Sequence, residues 1–331
     1  MIRTFALALA LTLILTVSGV PAQAAPIVFK IATVESDETS TTKALLEFEK
    51  FVEEKTGGQV DVQYFANGVL GGEREIVEGV ALGTIQLAFP AASVLSMYDD
   101  KFNLFELPFI YNSFDVAYAV WDGEIGDTYT KWMEDQGFTN LGCVAYSARG
   151  FSNNVRPVRT PADMKGLKIR VIESQLYIEL FKAFGANPTP MSETEIYTGL
   201  QQGTIQGLDQ GPMQVYMMKY YEQIKYYTWL KHVIMPVPFI ANKAYIEGLP
   251  EDIRAVILEG LTIAKDKLRK QLYEDEITSL EDLRKAGIEV IPELTPEETA
   301  QFRTLLEPIY ANYRKIVGDE MFDKMLSYND K

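Results

Sequence analysis

From Ile27 to Thr33 the chain is almost wholly apolar, the pattern of a strand buried on both faces. Leu45, Leu46, Phe48, Phe51 and Val52 then recur at helical spacing, and Gly57-Gly58 stops that helix. Val60, Val62 and Tyr64 alternate with polar residues, as a half-buried strand does, and Asn67-Gly68 turns the chain. Residues 72–82 read as a helix and 85–89 as a short buried strand. Strands alternating with helices predict an α/β protein with largely parallel sheets.

After an aromatic-rich stretch, Phe102 to Trp121, strand signals return at 141–147 and 167–171. Helices are expected at 174–184 and from Ser192, where Glu195 three residues on completes a capping box. Gly203 closes the latter, and 204–208 reads as a strand. The spacing predicts a helix with a Tyr and Met face over 213–227. Residues 250–286 are helical in pattern almost throughout, with a bend expected at Gly260 or a break at Thr278. Thr295, Pro296 and Glu298 mark the start of a last long helix. One octapeptide recurs: 79–86 (GVALGTIQ) resembles 199–206 (GLQQGTIQ). A repeated joint of helix end, glycine and strand start predicts two similar lobes with a cleft between them, a favoured place for a ligand.

The 331 residues suggest about two domains. With 46 acidic and 31 basic residues the formal charge is -15, which speaks against nucleic acid as a partner. Cys143 and His232 are the single cysteine and histidine. No intrachain disulfide, cysteine cluster or multi-histidine metal site can be built from them. Arg3, an uncharged apolar run from Phe5 to Val20, and small residues at Ala22 and Ala24 have the layout of a secretory signal. Cleavage is expected after Ala24, giving an exported, periplasmic chain.

Enzyme signatures are missing from the sequence: there is no nucleophile elbow, no P-loop and no dinucleotide fingerprint. No cofactor, metal site or catalytic residue is therefore assigned. His232 lies in an apolar run, where a core or cleft-edge place suits it better than catalysis. Arg170 is more informative. It sits near the carboxyl end of a predicted strand, where open α/β sheets bind ligands, and its planar fork matches a carboxylate. The other reading is a surface ion pair. Arg149, at the start of the second lobe, reads either as a ligand contact or as an interlobe strut. Arg74 opposes the macrodipole at a helix start, a hint of another role.

Several runs resemble the solute-binding proteins of tripartite ATP-independent periplasmic (TRAP) transporters, of C4-dicarboxylate-binding type. These are 161–171 (PADMKGLKIRV), 184–191 (FGANPTPM), Glu195-Ile196-Tyr197, Leu200-Gln201-Gln202-Gly203, and upstream 70–75 (LGGERE) and 82–86 (LGTIQ). They occur in the family's order and span nearly all of the chain after the signal. The resemblance implies a two-lobed periplasmic binding protein fold of α/β class, with hinge strands and a long helix along both lobes. On that reading lobe I is 25–147 plus 237–276, and lobe II is 148–236 plus 277–331. It implies capture of a small organic anion, a carboxylate or a sulfonate, by a single copy of the chain. Delivery is then to ion-gradient-driven TRAP membrane subunits. The family's hallmark arginine falls on Arg170, a second ligand-facing arginine on Arg149, and an amide position on Gln210. Members often follow the arginine with Val-Pro; here Val171-Ile172-Glu173 follows, and Glu173 reads either a ligand hydroxyl or amine, or solvent. The alternatives are a sensor presenting its ligand to a receptor, and a periplasmic lyase or hydrolase. The latter would have to draw its acid and base from His232, Glu173, Asp209 and Tyr197.

Overall fold

The computed structural model describes residues 25–330, so the signal segment lies outside the described residues. Two sheets divide the chain. The first is built from β1 (Ile27–Ala32), β2 (Val60–Phe65), β3 (Leu87–Ala88), β4 (Phe138–Ala148) and, late in the sequence, β10 (Ile234–Asn242). The second holds β5 (Gly150–Asn153), β6 (Lys168–Val171), β7 (Asn187–Pro190), β8 (Gly207–Gln210), β9 (Tyr226–Thr228) and β11 (Glu289–Ile291). Their orders are β2-β1-β3-β10-β4 and β11-β9-β5-β8-β6-β7.

Each sheet contains the same parallel triplet. β2 and β3 flank β1, as β7 and β8 flank β6. The repeated octapeptide builds the same joint in both. Gly83 and Gly203 turn with φ of 74° and 71°. Thr84 and Thr204 donate from N to the carbonyls of Gly79 and Gly199, at 2.9 and 3.0 Å. The side chain of Gln86 accepts from Lys30 N at 2.9 Å, and that of Gln206 from Lys168 N at 3.0 Å. The expectation of two similar lobes holds down to single hydrogen bonds.

The chain crosses between lobes at Arg149 and again over 229–233. A third connection is the helix Glu251–Lys285, continuous over 35 residues. The break expected at Thr278 does not occur. Gly260 lets the helix lie close to helix Ser40–Lys55: a Cβ there would come within 2.9 Å of the rings of Phe48 and Phe51. Among the described residues no helix is long and apolar enough to cross a membrane.

Three other expectations are corrected. Ser192 caps nothing with its side chain; Glu193–Glu195 form a 3-10 turn, and helix Ile196–Gln201 starts only after it. The helix expected over 213–227 ends at Met217, Lys219 turns with φ 57°, and Tyr226–Thr228 joins the sheet as β9. Strand pairing with β5 and β11 there outweighs the helical spacing of Tyr and Met. The last long helix is three: Pro296–Thr304, Glu307–Val317 and Asp319–Ser327, parted by Pro308 and by Gly318 with φ 88°. β7 escaped the sequence pattern because Pro188 and Pro190 break it; proline is tolerated there because the strand lies at the sheet edge. Pro236 and Pro238 stand in the inner strand β10 beside two register shifts, which spare the missing amide donors.

Candidate functional site

The carboxyl ends of β1, β6 and β8 point into the gap between lobes, where doubly wound sheets place their ligands. Arg170 is the third residue of β6 and is buried. Its Nε donates to Met191 O at 2.9 Å, while Nη1 has no partner. Gln210, the last residue of β8, donates from Nε2 to Glu193 Oε2 at 3.2 Å and leaves Oε1 unpaired. Glu193 comes from the turn after β7 and feels the charges of both Arg170 and Arg149.

The first lobe answers with carboxyls. Glu35 follows β1 and is buried. Glu73 opens helix Glu73–Ala81 and accepts from Ala91 N at 2.9 Å. Glu106 accepts from Ser93 N at 2.6 Å and from the Tyr177 hydroxyl of the second lobe. Asn103 Oδ1 accepts from Ser174 Oγ at 2.9 Å, a second direct contact across the gap. The lobes are thus closed on one another. Burial, with the nearby charge of Glu193, pushes Glu35 and Glu73 up to about 7. Burial likewise raises Glu106 and Glu193. Glu35 and Tyr146 face one another here, and Gln214 Oε1, like Arg170 Nη1 and Gln210 Oε1, is buried without a partner. Native interiors leave few such atoms, and this many in one gap mark a place for a polar ligand.

Arg149 has a different setting. It is fully buried, its Nε donates to Asp209 Oδ2 at 2.9 Å, and one Nη donates to the Asp209 carbonyl. The other Nη meets the sulfur of Met235, and the guanidinium lies 5.2 Å from the Tyr177 ring centre. His232 Nε2 lies 3.2 Å from Asp209 Oδ1, and the imidazole is enclosed by Phe109, Phe181 and Phe184. Burial alone would raise the Asp209 carboxyl; Arg149 and then His232 outweigh it and hold it below the usual carboxylate range. This trio joins β5, β8 and the returning crossover, and ties the hinge.

Of the residues singled out from sequence, the structure brings Arg170, Gln210, Arg149, Asp209 and His232 into one neighbourhood. It does not bring Tyr197 there: its hydroxyl donates to Glu222 and accepts from Gln223, on the helix and turn behind the sheet. The Glu173 side chain is half-buried and makes no hydrogen bond or ion pair among the described residues, and the same is true of the Arg74 side chain. The four acid–base candidates are therefore not assembled. Sequence reading missed Glu35, Asn103, Glu106, Tyr146 and Glu193. Glu35 carried a usable signal, a carboxylate directly after a strand's carboxyl end. Asn103 and Glu106 carried none, since the 3-10 turn Asp100–Glu106 has no recognisable period.

A roomier hollow lies at the hinge, between both crossovers and the long helix. Of its cations, Arg269 pairs with Asp122, Lys231 lies over the Trp229 ring, and Lys270 is exposed to solvent. The gap around Arg170 is narrower because the lobes are shut, and there a buried guanidinium keeps an open nitrogen.

Comparison with known proteins agrees with the two-lobed fold. The profile of bacterial extracellular solute-binding protein, family 7, matches residues 31–316. The C4-dicarboxylate-binding periplasmic protein DctP of Rhodobacter capsulatus is 31% identical over 303 residues, covering 91% of each chain. The sugar acid binding protein DctPAm of Advenella mimigardefordensis, solved with galactonate, superposes with a TM-score of 0.88 at 26% identity, covering 92% of this chain and 98% of its own. A TRAP periplasmic solute-binding protein of Bordetella bronchispeptica, with density assigned to pantoate, gives 0.84 at 33% identity, covering 91% and 98%.

Proposed function

The chain belongs to the bacterial extracellular solute-binding proteins of family 7, the binding subunits of TRAP transporters, and from that premise we propose which groups hold its cargo. It binds a small organic acid as a transport component, and the proteins of its family are binders rather than enzymes. Its place is the periplasm and its partners are the membrane subunits of the transporter. The named ligands of its relatives are carboxylates, and no sulfonate is among those reported above.

Arg170 is the anion fork. The observation that carries this is its Nη1, buried at a strand's carboxyl end with nothing to bond. A carboxylate reaching it gains a charge-assisted bond in a gap from which closure excludes water, where such bonds are strongest. Gln210 stands beside it as a neutral partner, and Arg149 acts from behind through Asp209, fixing the strand ends that carry both. The acidic surface steers anions poorly, so this local cation supplies the attraction.

The test is calorimetric titration of Arg170 variants with C4 and C6 organic acids, folding being checked by circular dichroism. Removing one partner of a buried charge pair costs about 3–5 kcal/mol, so Arg170→Ala should abolish measurable binding of a micromolar ligand. Arg170→Lys keeps the charge but loses the fork and should weaken binding by a smaller but clear amount. A folded Arg170→Ala that binds like the parent places the anion site elsewhere. A variant that fails to fold, alongside a Lys variant with parental affinity, makes Arg170 structural.

A further inference from the structure

Of the two arginines at the strand ends, one keeps an open nitrogen, and acceptors stand near it. Arg149 has spent all three nitrogens, two on Asp209 and one on Met235. That leaves Arg170. Glu193 and Glu73 lie within the field of its charge, Glu193 two residues on from the Met191 carbonyl that Arg170 Nε meets, and Glu35 lies within the field of Glu193. Two unpaired amide oxygens, Gln210 Oε1 and Gln214 Oε1, add acceptors. Glu35, Tyr146, Glu193 and Gln214 line one small void between the lobes.

We infer that the cargo is a polyhydroxylated monocarboxylate, a sugar acid, rather than a dicarboxylate. Its single carboxylate takes Arg170, and its hydroxyls donate to Glu35, Glu193 and Glu73. A second carboxylate finds no further open nitrogen on Arg149 and would press these carboxyls further toward their neutral form, a cost that a hydroxyl does not incur. Hydroxyls suit the same groups in either protonation state, because a carboxyl or a carboxylate offers an acceptor oxygen. Unpaired acceptors also discriminate strongly: a ligand lacking the hydroxyls would leave them buried and unsatisfied.

This inference rests on the reading of Arg170 above, and the experiment separates the two. The full chain after the signal is titrated with a panel of four- to six-carbon aldonates and uronates, with succinate, and with 2-amino acids of matching length. At least one sugar acid should bind at least a hundredfold more tightly than succinate or any amino acid. Glu193→Gln and Glu35→Gln should each weaken that sugar acid tenfold or more and narrow the gap to succinate. Succinate binding within tenfold of the best sugar acid, with both lost in Arg170→Ala, leaves the anion fork standing and overturns the hydroxyl reading. An amino acid binding best overturns it as well. Parental affinity in both Glu variants removes their assigned role. If nothing in the panel binds, the fork and the hydroxyl array fall together.

Discussion

Arg149 and Arg170 look alike in sequence, each beside a strand end, yet their surroundings divide the labour between them. One is fully bonded and the other is not. Asp209→Asn should therefore act through stability. Leaving Arg149 buried without its counter-charge typically costs about 3–5 kcal/mol. Chemical denaturation at pH 7 checks it, and a loss under about 1 kcal/mol would demote the pair to packing. The acid side has a definite sign. Asp209 is held below its ordinary value, so its stabilisation is complete above that value and fades as pH falls through the folded one. Glu276 has the opposite sign. It is buried in the long helix, accepts from Ala148 N at 2.6 Å at the hinge, and burial pushes it up to about 8 despite Lys231 nearby. Its contribution is complete below the unfolded value of 4.5 and declines as pH rises toward 8. Glu276→Gln should accordingly flatten the fall in melting temperature between pH 5 and 8. An unchanged pH profile would show that Glu276 ionises in the folded protein as freely as in the unfolded one.

Among elements, those legible in the sequence were the ones whose burial is one-sided and regular: β1, β2, the helices Ser40–Lys55 and Glu73–Ala81, and the parallel triplets. Arg170 was legible for the same reason, since a regular strand fixes where its carboxyl end falls. What stayed hidden was set by distant partners. β9 forms because β5 and β11 lie beside it, and no local pattern of Tyr and Met announces that. Glu106 and Asn103 reach the gap on a 3-10 turn placed by its packing. Caps show how far local rules carry. Thr295 and Glu298 make the full reciprocal box, with Glu298 N donating to Thr295 Oγ1 at 3.2 Å and Thr295 N to Glu298 Oε2 at 2.8 Å. Ser192 and Glu195 have the same spacing but do not cap. Thr295→Ala should thus cost about 1 kcal/mol, while Ser192→Ala should change stability by less than about 0.5 kcal/mol. Equal losses in urea titrations would mean that Ser192 caps in solution.

At the scale of the molecule, two crossovers and one helix join lobes that touch through Tyr177–Glu106 and Ser174–Asn103. The C-terminal helices add Tyr310–Pro108 and Asn329–Asn112 contacts, and the atoms left unpaired in the gap suit a ligand or water. Ligand should shift the population toward this closed form. Small-angle scattering should show a smaller radius of gyration with saturating sugar acid than without. The liganded curve should fit the closed structure. Identical curves in both states would mean that the lobes stay shut without cargo.

The position of β10 has a consequence for how the protein is made. This strand lies between β3 and β4, so the first sheet has no middle until residues 234–242 exist. Everything synthesised before that point carries two unsealed strand edges. Pairings so remote along the chain form slowly. The first sheet of such a nascent chain therefore stays in two pieces, β2-β1-β3 and β4, for most of its synthesis. The late strand acts as a timer for that lobe, deferring its sheet until most of the polypeptide has been produced.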